Sequence, residues 1–209
     1  MFNKSRLDKI NLSNLLHISN VLKKYEYSVY KGTLLGLVRD GGIIKGDDDV
    51  DILMNIKNRK NVKKEILKLK KFKINTKVSS DYFIQFVNEK HIKSFVDIYF
   101  FVDIKKNNYV IEKHNFLSFI NNKKYEIHIP KKLIFPFKKS KYFKNVKLPN
   151  NPKGMCKYLY GKSWVKPIKK NSGYRVEIIG NKPLIIQRSR LGYFTRYIKQ
   201  IIFNNFRKG

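Results

Sequence analysis

Apolar residues recur at helical spacing between Leu7 and Lys24, where Leu12, Leu15, Leu16, Ile18, Val21 and Leu22 predict a first helix. Tyr25 to Tyr30 is a short β-forming segment that runs into a Gly32-Thr33 turn, and Leu34 to Val38 suits one or two helical turns behind it. From Asp49 to Met54 the pattern becomes that of a strand. Its period of two would send Asp47, Asp49 and Asp51 to one face and Asp48, Val50 and Ile52 to the other. Asn61 to Lys71 predicts a lysine-rich helix, and Tyr82–Val87 with Ile92–Val102 predicts a hairpin turning at Asn88-Glu89-Lys90.

Beyond about Asn107 the patterning loosens. Tyr125–Ile129 and Phe143–Leu148 are candidate strands. Asn150 is a candidate cap for a short helix that opens near Pro152 and stops at Gly161. Leu191 to Phe206 predicts a basic amphipathic helix. The order predicts an α+β class: a small mixed sheet flanked by helices, the acidic strand inside it, and a C-terminal helical extension. Residues 1–105 are expected to form the catalytic core, and residues 106–209 the C-terminal part of the same domain.

Composition changes the picture in two ways. First, 42% hydrophobic content is ample for a core, and no apolar run approaches the roughly 20 residues of a membrane span. The N-terminal residues lack a signal-peptide core, so a cytoplasmic protein is expected. Cys156 is the single cysteine, which rules out an internal disulfide and a multi-cysteine zinc site; His17, His91, His114 and His128 show no ligand spacing.

Second, 46 basic residues against 15 acidic ones give a formal net charge of +31. Most are lysines spread from end to end among Asn, Ile, Phe and Tyr, as solvated positions filled under AT-rich coding would be. The alternative is an anionic partner, either a polyanionic substrate or a membrane surface. On the second view the C-terminal helix would rest on anionic lipid at the inner face of the membrane. No zinc-finger spacing, basic heptad arm or aromatic RNA-binding signature supports a nucleic-acid-binding module.

Against that scarcity of acid, Asp40, Asp47, Asp48, Asp49 and Asp51 crowd into one short window. Like charges this close repel, and a fold tolerates them mainly when a cation sits among them. Carboxylates two apart on a strand aim their oxygens at a common point, where one or two divalent ions can sit. An EF-hand is excluded, because the sixth and twelfth positions counted from Asp47 are Ile52 and Asn58. Asp97 lies in the apolar run Phe95-Val96-Asp97-Ile98-Tyr99, where an unpaired carboxylate would be costly; either a metal or a lysine partner would relieve it. Upstream, Gly32-Thr33-Leu34-Leu35-Gly36 offers backbone N–H groups to a phosphate, and Arg39 a bidentate contact. Neither a P-loop nor a Gly-x-Gly-x-x-Gly fingerprint is present.

Gly32-Thr33-Leu34-Leu35-Gly36, Arg39 and Asp47-Asp48-Asp49-Val50-Asp51 together resemble the LicD and fukutin-related phosphotransferases. Val96-Asp97-Ile98-Tyr99 resembles that family's second acidic strand, and Tyr158 to Pro167, within a closing element at 149–167, its Tyr-Gly-x-x-Trp motif. The resemblance implies a nucleotidyltransferase-like core. It implies metal binding by Asp49, Asp51 and Asp97 with Asp47 assisting, and donor phosphates held by Gly32, Thr33 and Arg39. The implied cofactor is Mg²⁺ or Mn²⁺. The implied reaction moves a phosphorylated alcohol, such as phosphocholine or a polyol phosphate, from a CDP-linked donor to a glycan or lipid-linked saccharide. Lys45-Gly46 departs from the aromatic pair that the family often places before its acids. The rival enzyme reading is nucleotidyl transfer from a nucleoside triphosphate.

Overall fold

A computed structural model describes residues 4–117, 124–167, 174–179 and 182–187. The predicted basic helix at Leu191–Phe206 lies outside the described residues. Helix α1 (Lys4–Leu22) is followed by strand β1 (Tyr27–Val29), helix α2 (Lys31–Arg39) and strand β2 (Asp49–Asn55). Helix α3 (Arg59–Leu67) leads through β3 (Phe72–Ile74) to the hairpin of β4 (Phe83–Asn88) and β5 (His91–Asp103). A second hairpin, β6 (Tyr109–Leu117) and β7 (Lys124–Pro130), precedes the short α4 (Lys131–Ile134). After a small ribbon of β8 (Lys138–Lys139) and β9 (Lys147–Leu148) come α5 (Pro152–Tyr160), β10 (Tyr174–Ile179) and β11 (Lys182–Gln187).

The predicted mixed sheet with flanking helices is present. Its central order is β1-β2-β5-β4-β3, with β6 continuing from β5 and β7 from β6, seven strands in all. β2 and β5 run parallel while the other pairs are antiparallel, because the chain between them crosses over through α3. On β2, Val50, Asp51, Ile52, Leu53 and Met54 are all buried, as expected of a strand covered on both faces. α1 lies against β2, β5 and α3, and α2 packs against β2 and α5.

Several boundaries differ from expectation. β3 was not foreseen: Phe72 is buried but Lys73 is exposed, so the segment carries little apolar signal. β6 is hidden in sequence because its inward position Glu112 is acidic and fully buried. The candidate strand Phe143–Leu148 reduces to Lys147–Leu148, since a turn at Ser140–Asn145 occupies the rest. α5 is capped by Asn151, whose Oδ1 accepts from the Gly154 N–H at 2.8 Å, rather than by Asn150, which donates to the Lys132 carbonyl. The helix does stop at Gly161, which takes a φ of 78° that other residues resist.

Candidate active site

The parallel register of β2 and β5 sets Asp51 directly beside Asp97. Asp49, two residues back on β2, shares their face, and oxygens of all three carboxylates lie within 4.8 Å of one another. Asp51 is 3% exposed and Asp97 5%. Among the described residues no lysine or arginine forms an ion pair with any of the three. Burial, then repulsion from Asp48, pushes the Asp49 carboxyl up to about 6. Burial, then Asp49, pushes Asp97 up to about 7, and burial, then Asp49 and Asp97, raises the buried Asp51 in the same direction. Three hard oxygen donors, desolvated and short of positive charge, fit a divalent cation.

The pleat does not reach as far back as expected. β2 begins at Asp49, so Asp47 and Asp48 belong to the approach loop and escape strand alternation. Asp48 is exposed, yet its carboxylate joins those of Asp47 and Asp49 in a second acidic group instead of pointing away. The loop is held from behind by α1. Asn11 Nδ2 donates to the Asp47 carbonyl at 2.8 Å, and the Gly46 N–H donates to Asp8 Oδ1 at 2.8 Å. Asn11 is itself locked in a buried chain with Ser94, Asn14 and Asn88.

The Gly32-Thr33 turn is wired to the acidic strand. The N–H groups of Gly32 and Thr33, at the start of α2, donate to Asp51 Oδ2 at 2.8 and 3.3 Å. Thr33 Oγ1 accepts the Asp51 N–H at 2.8 Å. The positive end of the helix thus faces a carboxylate. Gly32 sits close against the acids: a Cβ there would stand 3.0 Å from Asp47 Oδ2 and 3.2 Å from Asp51 Oδ2, so the two carboxylates would have to shift. At Gly36 a Cβ would meet the Gly42 carbonyl at 2.5 Å, which excludes any side chain. Arg39 spends its guanidinium on its neighbour, with Nε and Nη2 donating to the two Asp40 oxygens at 2.8 and 2.7 Å.

Beside the acids opens a cleft of about 510 Å³, bordered by Gly32, Arg39, Lys45, Asp47, Tyr160 and Trp164. The structure therefore brings the Tyr158–Pro167 element to the acidic loop, with Trp164 packed partly against the core.

Three participants escaped the sequence reading. Gln85 Nε2 donates to Asp97 Oδ1 at 3.0 Å and is steadied by Asn75, whose Nδ2 donates to Gln85 Oε1 at 2.8 Å. A lone amide in the apolar run Phe83-Ile84-Gln85-Phe86 was its signal. Lys31 places its ammonium 3.5 Å from the Tyr99 ring centroid and favours the charged forms of Asp49, Asp51 and Asp97. Tyr99, two residues beyond Asp97, lies on the same face.

A family model described as LicD/FKTN/FKRP, nucleotidyltransferase domain, matches residues 24–151. Comparison with curated proteins finds no match. Among solved structures, a lincomycin-bound lincosamide antibiotic adenylyltransferase, LnuA, aligns with a TM-score of 0.47 and 16% identity, over 66% of this chain and 77% of its own. The antibiotic-resistance factor ANT(2'')-Ia aligns at 0.39 and 14%, over 48% and 51%. No helix among the described residues is long and apolar enough to cross a membrane.

Proposed function

We propose that this chain, which belongs to the LicD/FKTN/FKRP nucleotidyltransferase-domain family, transfers a phosphorylated alcohol from a CDP-linked donor to a hydroxyl of a glycan or lipid-linked saccharide. The observation that carries the reading is the meeting of the partly buried Asp49 and the buried Asp51 and Asp97 on adjacent parallel strands, beside a cleft. A divalent cation held there, Mg²⁺ or Mn²⁺, would supply positive charge to the phosphate oxygens during in-line displacement.

The chain's own groups do the positioning. Gln85 and the Gly32-Thr33 turn fix the Asp97 and Asp51 carboxylates before substrate arrives, so little reorganisation is needed. Arg39, Lys45 and Lys166 around the cleft favour the donor's negative charge, and Trp164 and Tyr160 offer apolar surface to its base. The acceptor oxygen attacks the phosphorus that bears the alcohol. The bond from that phosphorus to the bridging oxygen breaks, and cytidine monophosphate leaves. The hydroxyl proton passes to a carboxylate, Asp97 or Asp47.

The test is to incubate the protein with Mg²⁺ and cytidine nucleotides, follow binding by thermal shift, and identify products by mass spectrometry. Cytidine monophosphate released from a CDP-alcohol is the expected result. Pyrophosphate released from a triphosphate, with no response to any CDP conjugate, would overturn the reading in favour of nucleotidyl transfer.

A further inference from the structure

One step along the sheet from the carboxylates, an aromatic and acidic box encloses an ammonium group. Its walls are the rings of Tyr30 and Tyr99, set edge to face at 5.7 Å and 68°. Its anionic side is Glu112, which is fully buried and accepts from the Tyr30 hydroxyl at 2.6 Å. The ammonium is Lys31 Nζ, 3.5 Å from the Tyr99 centroid, 5.4 Å from that of Tyr30 and 3.2 Å from Glu112 Oε1. Aromatic faces closed by a carboxylate are the general means of binding quaternary ammonium ligands. The chain has put its own side chain into such a box.

Lys31 is held there at a backbone cost. Its φ is 35°, in the left-handed region that a residue with a Cβ normally avoids. The box belongs to the reaction site by register. Tyr99 follows Asp97 by two residues on β5, so both project from one face, and Glu112 stands opposite Phe101, two further along that face. The Lys31 charge therefore sits beside the carboxylates.

We infer that Lys31 is a specificity-determining residue that fills the ammonium box of this site, so that the chain takes donors whose alcohol is neutral, such as glycerol or a longer polyol, and turns away quaternary ammonium alcohols. The inference rests on the donor class proposed above. A cationic alcohol would meet a fixed like charge and find the aromatic and acidic box taken. A neutral alcohol meets neither obstacle.

Lys31→Gly vacates the box, and relief of the positive φ offsets part of the cost of taking the ammonium away from Glu112; Lys31→Ser is the second variant. The first probe is tetramethylammonium, which makes no use of the donor reading. Saturable binding to either variant, followed by chemical-shift changes of the tyrosine rings, and none to the wild type, is expected. Adding Glu112→Gln to Lys31→Gly should abolish it. The second comparison is CDP-glycerol against CDP-choline by isothermal titration with Mg²⁺. The wild type should favour CDP-glycerol by about tenfold, and Lys31→Gly should close or reverse that gap. No tetramethylammonium binding to either vacated variant overturns the box. An unchanged glycerol-to-choline ratio overturns the specificity role. Tetramethylammonium binding without response to either CDP conjugate upholds the box and overturns the donor class instead.

Discussion

Asp97 and Glu112 rise from one face of the sheet, yet their carboxylates live under opposite conditions. Glu112 is fully buried and well partnered, accepting from the Tyr30 hydroxyl and pairing with the Lys31 ammonium. Asp97, also buried, has one amide from Gln85 and two neighbouring carboxylates. A buried charge with its partners in place is a structural element. A group of buried charges short of partners is a cost that the fold carries for another purpose. The difference separates the acid that holds the protein together from the acids that await a cation.

Neutralising one residue on each side should give opposite phenotypes, and this is the largest effect expected. Asp51→Asn or Asp97→Asn should lower transfer on the order of a thousandfold. The same changes should raise the melting temperature of the metal-free protein near neutral pH, because each removes repulsion from a raised carboxylate. Glu112→Ala should do the reverse to stability, costing about 3–5 kcal/mol by leaving Lys31 and the Tyr30 hydroxyl without their partner. Calorimetry of the variants in EDTA and in Mg²⁺ measures both. If Asp97→Asn were as destabilising as Glu112→Ala, the two carboxylates would not differ in the way proposed.

The sequence made one side of this comparison legible and concealed the other. The Asp49 and Asp51 alternation, the apolar run around Asp97 and the Gly32-Thr33 turn are local patterns, and local patterns survive in a one-dimensional reading. Glu112 and Lys31 meet only because β5 and β6 pair, and nothing within a few residues of either announces that contact. The turn also shows how a correct motif can carry a different task. Its N–H groups, expected to hold phosphate, hold Asp51, since a helix start attracts whichever anion lies nearest. Asp48 lies before the first strand residue, where the alternation of the pleat no longer applies.

Gln85 sharpens the contrast, being the direct side-chain support that Asp97 has from its own sheet neighbour β4. Gln85→Leu keeps the volume but leaves Asp97 Oδ1 unheld. Mn²⁺ affinity, read by electron paramagnetic resonance, should fall by about 10–100-fold, the usual effect of removing a group that orients a ligand. The melting temperature without metal should change little. An unchanged Mn²⁺ affinity would show Asp97 to be oriented by the backbone alone.

The carboxylates should also leave a signature in stability against pH. Asp49 and Asp97 move from an ordinary 3.8 to about 6 and about 7 in the folded state, and Asp51 moves in the same direction. Between those limits the folded protein binds more protons than the unfolded chain. Their contribution is therefore fully present below pH 3.8 and is lost as pH rises through about 7. Subtracting the pH profile of an Asp51→Asn, Asp97→Asn double variant from that of the wild type isolates the share of Asp51 and Asp97, which should fall across the window in EDTA. Mg²⁺ should flatten its upper part, because a bound cation stabilises only the folded state. A component that rises with pH in EDTA would mean that the carboxylates are already compensated by positive charge.

Asp48 provides the finest test, since it stands at the edge between solvent and the buried acids. It is exposed, and its carboxylate gathers with Asp47 and Asp49 at the mouth of the site. Its charge is the second-largest cause, after burial, of the raised Asp49 carboxyl, and it contributes to Asp97 as well. Asp48→Asn should therefore bring Asp49 closer to the ordinary carboxylate range while leaving folding intact. The negative potential that attracts a cation would fall at the same time, and solvent screening keeps the net change small. A few-fold weakening of Mg²⁺ affinity is expected, growing as ionic strength is lowered. A loss as deep as that of Asp51→Asn would make Asp48 a direct ligand and shift the cation outward, toward the approach loop. No change at any ionic strength would place the functional boundary at Asp49, the first residue of the strand.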